Sequence, residues 1–109
     1  VYVKQVVSMM DYCLTSEVKS GIYNIGSGKA NSFKAFAGAM FKALGKKEKI
    51  EYFPMPKILR GKYQYFTEAK MDKLGQEGYK EKTWNLENAV DDYVNNYLSK
   101  EDPYLKVIK

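Results

Sequence analysis

The chain contains no histidine, one cysteine, one arginine, three prolines and one tryptophan. The missing histidine removes Ser-His-Asp and Cys-His relays and the commonest zinc ligand sets. Proton transfer would then fall to Tyr, Lys, Asp or Glu. With Cys13 alone, no intramolecular disulfide can form, which fits a reducing compartment such as the cytoplasm. No stretch approaches the ~20 apolar residues of a membrane helix, and no signal-peptide pattern appears within the sequence. Neither a membrane partner nor a metal is expected. The net charge is +5, yet Arg60 is the only arginine among eighteen basic residues. Base reading and phosphate forks favour arginine over lysine. Lysines scattered along the whole chain read as solvation, which argues against a small basic nucleic-acid-binding module.

What is present is a patterned, tyrosine-rich chain of 109 residues, with ten tyrosines. Val3, Val6, Val7, Met10, Cys13 and Leu14 recur at helical spacing and predict a helix over 4–15, with Cys13 as a small core residue. Residues 21–26 form a β-rich run between glycines and predict a strand. Asn31 or Ser32 can cap a second helix. Its stripe is Phe33, Phe36, Ala37, Met40, Phe41 and Leu44, and Gly45 is its stop. Residues 49–53 predict a second strand, ended by Pro54 and Pro56. Residues 63–67 predict a third, and 68–74 a short helix stopped by Gly75. Asn85 caps a last helix whose core stripe runs Leu86, Ala89, Val90, Tyr93, Val94, Tyr97 and Leu98. Asp91 and Asp92 face solvent on its other side. Alternation of strands and helices predicts an α/β class. Three short strands are few for a complete sheet of that kind. The chain also enters structure directly at Val1, so it is expected to be part of a larger fold. Residues 1–99 are expected to be structured and 100–109 to be a charged tail.

Two local patterns invite chemistry. Gly26-Ser27-Gly28 follows a predicted strand and leads into a helix, as in a pyrophosphate-binding turn. Its third glycine position is Asn31, and the next predicted strand ends in Phe53-Pro54 with no acidic residue. A structural strand-to-helix turn is the better reading. Arg60-Gly61-Lys62-Tyr63 is the stronger candidate. Gly61 permits a tight turn, Arg60 and Lys62 can meet an anion, and Tyr63 offers a hydroxyl and a ring. The alternative is a basic surface turn with Tyr63 anchored in the core. None of the ten tyrosines is followed four residues later by lysine, the proton-transfer pair of short-chain dehydrogenases.

Several segments, in order, carry a resemblance. They are V-Y-V-K-Q-V-V from Val1, S-G-I-Y-N-I-G-S-G-K-A-N-S-F from Ser20, I-E-Y-F-P-M-P from Ile50 and L-R-G-K-Y-Q-Y-F-T from Leu59, continued by Leu74-Gly75, Gly78-Tyr79 and Leu86-Glu87-Asn88-Ala89-Val90. With them the chain resembles the C-terminal part of the ADP-heptose 6-epimerases, a family of the extended short-chain dehydrogenase/reductases. The resemblance spans Val1 to about Leu98. Gln5 stands where the family usually has Asp, Lys62 where Arg is common, and the tail after Ser99 has no counterpart.

The resemblance implies an NAD(P)-binding Rossmann-type superfamily member of which this chain is a substrate-domain segment. It implies an isomerase, active as the full-length protein, with another nucleotide-sugar epimerase or dehydratase of the same family as the alternative. Such an enzyme holds NADP in an N-terminal domain and inverts carbon six of ADP-D-glycero-D-manno-heptose through a ketone, for lipopolysaccharide core synthesis in the cytoplasm. It implies a homo-oligomer. It places no catalytic, cofactor-binding or metal-binding residue in this chain. Tyr63 is implied as a contact to the sugar nucleotide, with Arg60 and Lys62 more weakly.

Overall fold

A computed structural model describes residues 1–80 and 84–102. Four α-helices follow in order: α1 (Val3–Thr15), α2 (Phe33–Ala43), α3 (Asp72–Gln76) and α4 (Leu86–Tyr93). A 3₁₀ turn occupies Lys57–Leu59, and a π turn at Val94–Leu98 continues α4. The described residues fall into two compact units. One combines residues 1–30 with 54–84, and the other combines 31–53 with the chain from Asn85 onward. Most of the expected tail, residues 103–109, lies outside the described residues.

In the first unit, α1 turns Gln5, Met9 and Tyr12 inward. Met9 and Leu74 of α3 are each only 1% exposed and form its densest apolar points. The Tyr12 hydroxyl donates to the Glu77 carbonyl at 2.9 Å, and its ring meets Tyr79 edge-on at 5.2 Å. Tyr2 meets Trp84 in the same way at 5.0 Å. Cys13 is exposed rather than buried, which corrects the expected core position. Each helical residue advances about 100°, so with Met9 and Tyr12 turned inward the position after Tyr12 leaves the packed face.

The segment after the loop then clips onto residues 22–30. Asn24 Nδ2 donates to the Lys70 carbonyl at 3.2 Å, Lys73 Nζ to the Ile22 carbonyl at 2.8 Å, and the Ala30 amide to the Glu68 carboxylate at 3.0 Å. Lys73 Nζ also lies 4.4 Å above the Tyr23 ring. Partial burial, then the Glu77 carboxylate, then Cys13, hold the Tyr23 phenol above its ordinary pKa.

No strand forms among the described residues, so the expected short strands at 21–26, 49–53 and 63–67 are corrected. Ile22, Phe53 and Phe66 within these runs are exposed. β-propensity measures fit to a paired, half-buried surface rather than an intrinsic backbone preference. Here, side-chain bonds to carbonyls fix residues 22–24 where a ladder was expected.

The second unit is a helix pair. Ala39 of α2 packs with Val90 and Val94, flanked by Met40, Ala43 and Leu86. Phe33 and Phe36, expected in this core, are exposed. The small side of α2 faces its partner, because Ala39 and Ala43 permit close approach where phenylalanines would hold the helices apart. The caps match their sequence signals. Ser32 Oγ accepts from the Ala35 amide at 3.1 Å and Asn85 Oδ1 from the Asn88 amide at 2.8 Å. Gly45, at φ +62°, ends α2. The Lys46 amide bonds the Phe41 carbonyl and the Gly45 amide bonds the Lys42 carbonyl, a Schellman stop.

α3 ends in the same way, but at Gly78 rather than Gly75. Gly78 has φ +95°, and the Tyr79 amide reaches the Leu74 carbonyl at 3.3 Å. The last helix departs from expectation too. After Tyr93 the backbone widens, and the Ser99 amide bonds the Val94 carbonyl five residues back at 2.9 Å. The wider turn rotates later side chains off the i, i+4 stripe, and Leu98 is exposed.

Lys42 Nζ and Glu87 Oε2 pair at 2.8 Å on the surface. The hydrogen bond and then the charge of Lys42 hold the Glu87 carboxyl below its ordinary pKa, and the same contact raises Lys42. Glu87's share of stability is therefore present above its unfolded value, about 4.3, and is lost as pH falls through the lower folded value. Lys42's share is present below its unfolded value, about 10.4, and is lost as pH rises through the higher folded one. Lys42→Met is expected to return the Glu87 titration midpoint, followed by side-chain NMR, to the ordinary carboxylate range. An unmoved midpoint would deny the pairing in solution.

Candidate functional site

The loop after Pro54 carries all three residues singled out by sequence. Pro56 leads into the 3₁₀ turn, whose Leu59 amide bonds the Pro56 carbonyl at 3.0 Å. A second turn follows at once. Arg60 sits at φ −63°, ψ 130° and Gly61 at φ +74°, and the Lys62 amide bonds the Leu59 carbonyl at 3.1 Å. These are the angles and the bond of a type II turn, whose third position requires positive φ. Space is not the reason for Gly61, since a Cβ there would meet nothing within 4 Å. Backbone sign is the reason.

The turn sets Arg60, Lys62 and Tyr63 on one short arc. Arg60 Nε donates to the Met55 carbonyl at 3.2 Å and ties the loop to its own entry. Its terminal NH₂ groups have no partner among the described residues and remain able to fork an anion. Lys62 is exposed. Tyr63 is 39% exposed, and its ring meets Tyr65 edge-on at 5.5 Å. Tyr65 in turn directs its hydroxyl to Met55 Sδ at 3.7 Å. Tyr63 is therefore braced by a neighbouring ring rather than sunk in a core. Its hydroxyl has no protein partner among the described residues. The arc can offer one phenol, one guanidinium and one ammonium to an anionic, ring-bearing ligand.

The Gly26-Ser27-Gly28 turn has a different use. A Cβ on Gly26 would overlap the Ala69 methyl, and one on Gly28, at φ +63°, would lie 3.3 Å from Met71 Cγ. Gln5 Nε2 donates to the Gly26 carbonyl at 3.4 Å. The space that bare glycines leave is filled by the clip segment: the Ala69 methyl lies against Gly26 and the Met71 side chain against Gly28. No group of three or more potential metal ligands gathers among the described residues. No helix among them is long and apolar enough to cross a membrane.

Sequence reasoning missed one feature. A groove of about 520 Å³ opens in the first unit, lined by Ser8, Asp11 and Thr15 of α1 with Tyr12, Tyr79 and Trp84. The signal was the spacing of Ser8, Asp11 and Thr15, which puts one polar strip along α1.

No family model matches the chain. Individual proteins do. The ADP-L-glycero-D-manno-heptose-6-epimerase of Fusobacterium nucleatum subsp. nucleatum is 51% identical over 111 residues, covering 96% of this chain and 33% of that protein. Those of Nitratidesulfovibrio vulgaris (strain DP4) and Brachyspira hyodysenteriae are 43% and 38% identical, each over 105 residues, with 96% and 32% covered. The chain thus spans about a third of the length of the curated relatives it matches. Over that third it is a sequence homologue of the ADP-L-glycero-D-manno-heptose-6-epimerases.

Proposed function

We propose that the chain supplies part of the sugar-nucleotide-binding domain of an NADP-dependent epimerase that inverts carbon six of ADP-D-glycero-D-manno-heptose. The observation that carries this reading is the 51% identity to the F. nucleatum epimerase over 96% of the chain. The surrounding fold in this reading is the α/β fold of the extended short-chain dehydrogenases, working as a homo-oligomer in the cytoplasm. The oxidation and reduction at carbon six, and the NADP that accepts and returns the hydride, belong to parts of the enzyme outside the match. The residues of this chain bind and orient. Tyr63 donates its hydroxyl to the nucleotide-sugar, and its braced ring limits where that hydroxyl points. Arg60 and Lys62 offset the charge of the diphosphate. Gly61 sets the turn that brings the three onto one arc.

The test is a chimera in which this chain replaces the matching third of the F. nucleatum enzyme. It is expected to convert ADP-D-glycero-D-manno-heptose to the L-glycero epimer. A folded chimera without that activity would overturn the reading. In the same chimera, Tyr63→Phe is expected to raise KM. The loss corresponds to about 0.5–1.5 kcal/mol for a neutral acceptor, or about 1.5–3 kcal/mol if the acceptor is phosphate. Unchanged KM and kcat would leave Tyr63 as a bracing residue only.

A further inference from the structure

α1 has two apolar faces, and the first unit uses one. Gln5, Met9 and Tyr12 face inward. Val3, Val7, Met10 and Leu14 do not, being 61%, 58%, 53% and 86% exposed. They are spaced by four, three and four residues. At 100° per residue the four lie within about 60° of arc, along roughly 16 Å of helix. Alternating steps of three and four are those of a seam that receives another element. The polar strip of Ser8, Asp11 and Thr15 occupies a separate arc, so the stripe is not a scatter of exposed apolar residues.

We infer that this stripe docks against an apolar face of the polypeptide equivalent to the two-thirds of the epimerases that lies outside the match. The inference rests on the reading above of the chain as part of such an enzyme. Two observations choose the occupant. The relatives are about three times as long as the region matched, so each carries a further two-thirds of polypeptide in the same chain. The stripe itself is small, on the order of a few hundred Å². That is short of the roughly 800 Å² per partner of a stable interface between separate molecules. It suffices between domains of one chain, where no translational freedom is lost on contact.

The experiment compares one double substitution, Val7→Ser with Leu14→Ser, in two settings. In the 109-residue chain alone, thermal unfolding is expected to move by about a degree or less, as for exposed positions. In the chimera with the F. nucleatum enzyme, the midpoint is expected to fall by about 5 °C, as for newly wet core positions. The same pair of changes at the aligned positions of the F. nucleatum enzyme itself guards against a chimera that does not fold. A thiol probe gives a second readout. With Cys13→Ser, a cysteine replacing Leu14 is expected to react at least tenfold faster in the chain alone than in the chimera.

Equal, small effects in both settings would overturn the inference. A large effect in the chain alone would also overturn it. If that effect depends on protein concentration the occupant is a second copy, and if it does not the occupant is the chain's own second unit. Failure of the proposed activity is separable, because an inactive chimera can still show the stability difference and an active one can lack it.

Discussion

Replacing Leu74 with alanine is expected to lower the stability of the chain by about 2–5 kcal/mol, the range for removing a buried leucine side chain beyond Cβ. Leu74 is 1% exposed, and α3, on which it sits, has only five residues. A helix that short does not stand on propensity, because nucleation fixes several residues for one hydrogen bond. Its hold comes from packing, and Leu74 is its buried side chain. The consequence spreads along the chain. The Leu74 carbonyl accepts the Tyr79 amide in the Schellman stop, and that stop presents the Glu77 carbonyl to the Tyr12 hydroxyl. Loosening α3 therefore loosens the contact that secures α1. Typical domains are stable by about 5–15 kcal/mol, so the loss is a large share. Urea unfolding of the 109-residue chain is the measurement, with Leu14→Ala as the exposed comparison, expected within about 0.5 kcal/mol. Equal losses for the two variants would show that Leu74 is not the anchor of α3.

How much of this could be read from residues depends on the range of the interaction. Ser32, Gly45 and Asn85 act within one turn of their own helices; Gly45 and Asn85 were legible with their roles, and the cap at Ser32 was narrowed to Asn31 or Ser32. Gly75 was misread as the stop of α3 because Gly75 and Gly78 both lie near its end. Only the backbone sign at Gly78, φ +95°, tells them apart. The helical stripes told that α1, α2 and α4 have apolar faces, but not which face has a partner. α2 shows the difference, since Ala39 and Ala43 are used while Phe33 and Phe36 are left out. The predicted strands failed for a related reason. A ladder needs a second backbone, and no spacing within residues 21–26 reports whether one lies alongside.

The site divides along the same line. Arg60, Gly61, Lys62 and Tyr63 are consecutive, so one turn was bound to bring them together. The type II geometry and the use of Gly61 follow from local rules. The bonds that fix the arc were less visible. Arg60 to Met55 is a backbone-directed contact across five residues, and no charge pattern announces it. The Tyr63–Tyr65 brace was hidden by the strand reading, which sends alternate side chains to the same face without saying whether their rings touch. The groove beside α1 escaped because its aromatic wall comes from Tyr79 and Trp84, more than sixty residues downstream of Ser8 and Asp11.

Gly26→Ala is expected to cost about 1–3 kcal/mol through overpacking, and Ala69→Gly in the same chain is expected to return much of it. The added methyl would occupy the space of the Ala69 methyl, and the Ala69 backbone follows at 3.8 Å. A methyl has no rotamer by which to escape, so the two segments must separate. That separation acts on every bond of the clip: Asn24 to Lys70, Lys73 to Ile22, and Glu68 to the Ala30 amide. It also strains the bond from Gln5 Nε2 to the Gly26 carbonyl. Gln5 is 2% exposed, and its Oε1 has no hydrogen-bond partner among the described residues, so little polar compensation remains beneath the turn. Gly28→Ala differs in kind. Its cost lies in positive φ as well as in the 3.3 Å approach to Met71, so trimming Met71 is expected to rescue it only in part. A double-mutant cycle separates the two cases. A coupling of about 1 kcal/mol or more is expected between Gly26→Ala and Ala69→Gly, in the direction of rescue. Additive losses would mean that Gly26 is required for its backbone and not for the room it leaves, and the turn would again be open to a reading as a ligand cradle.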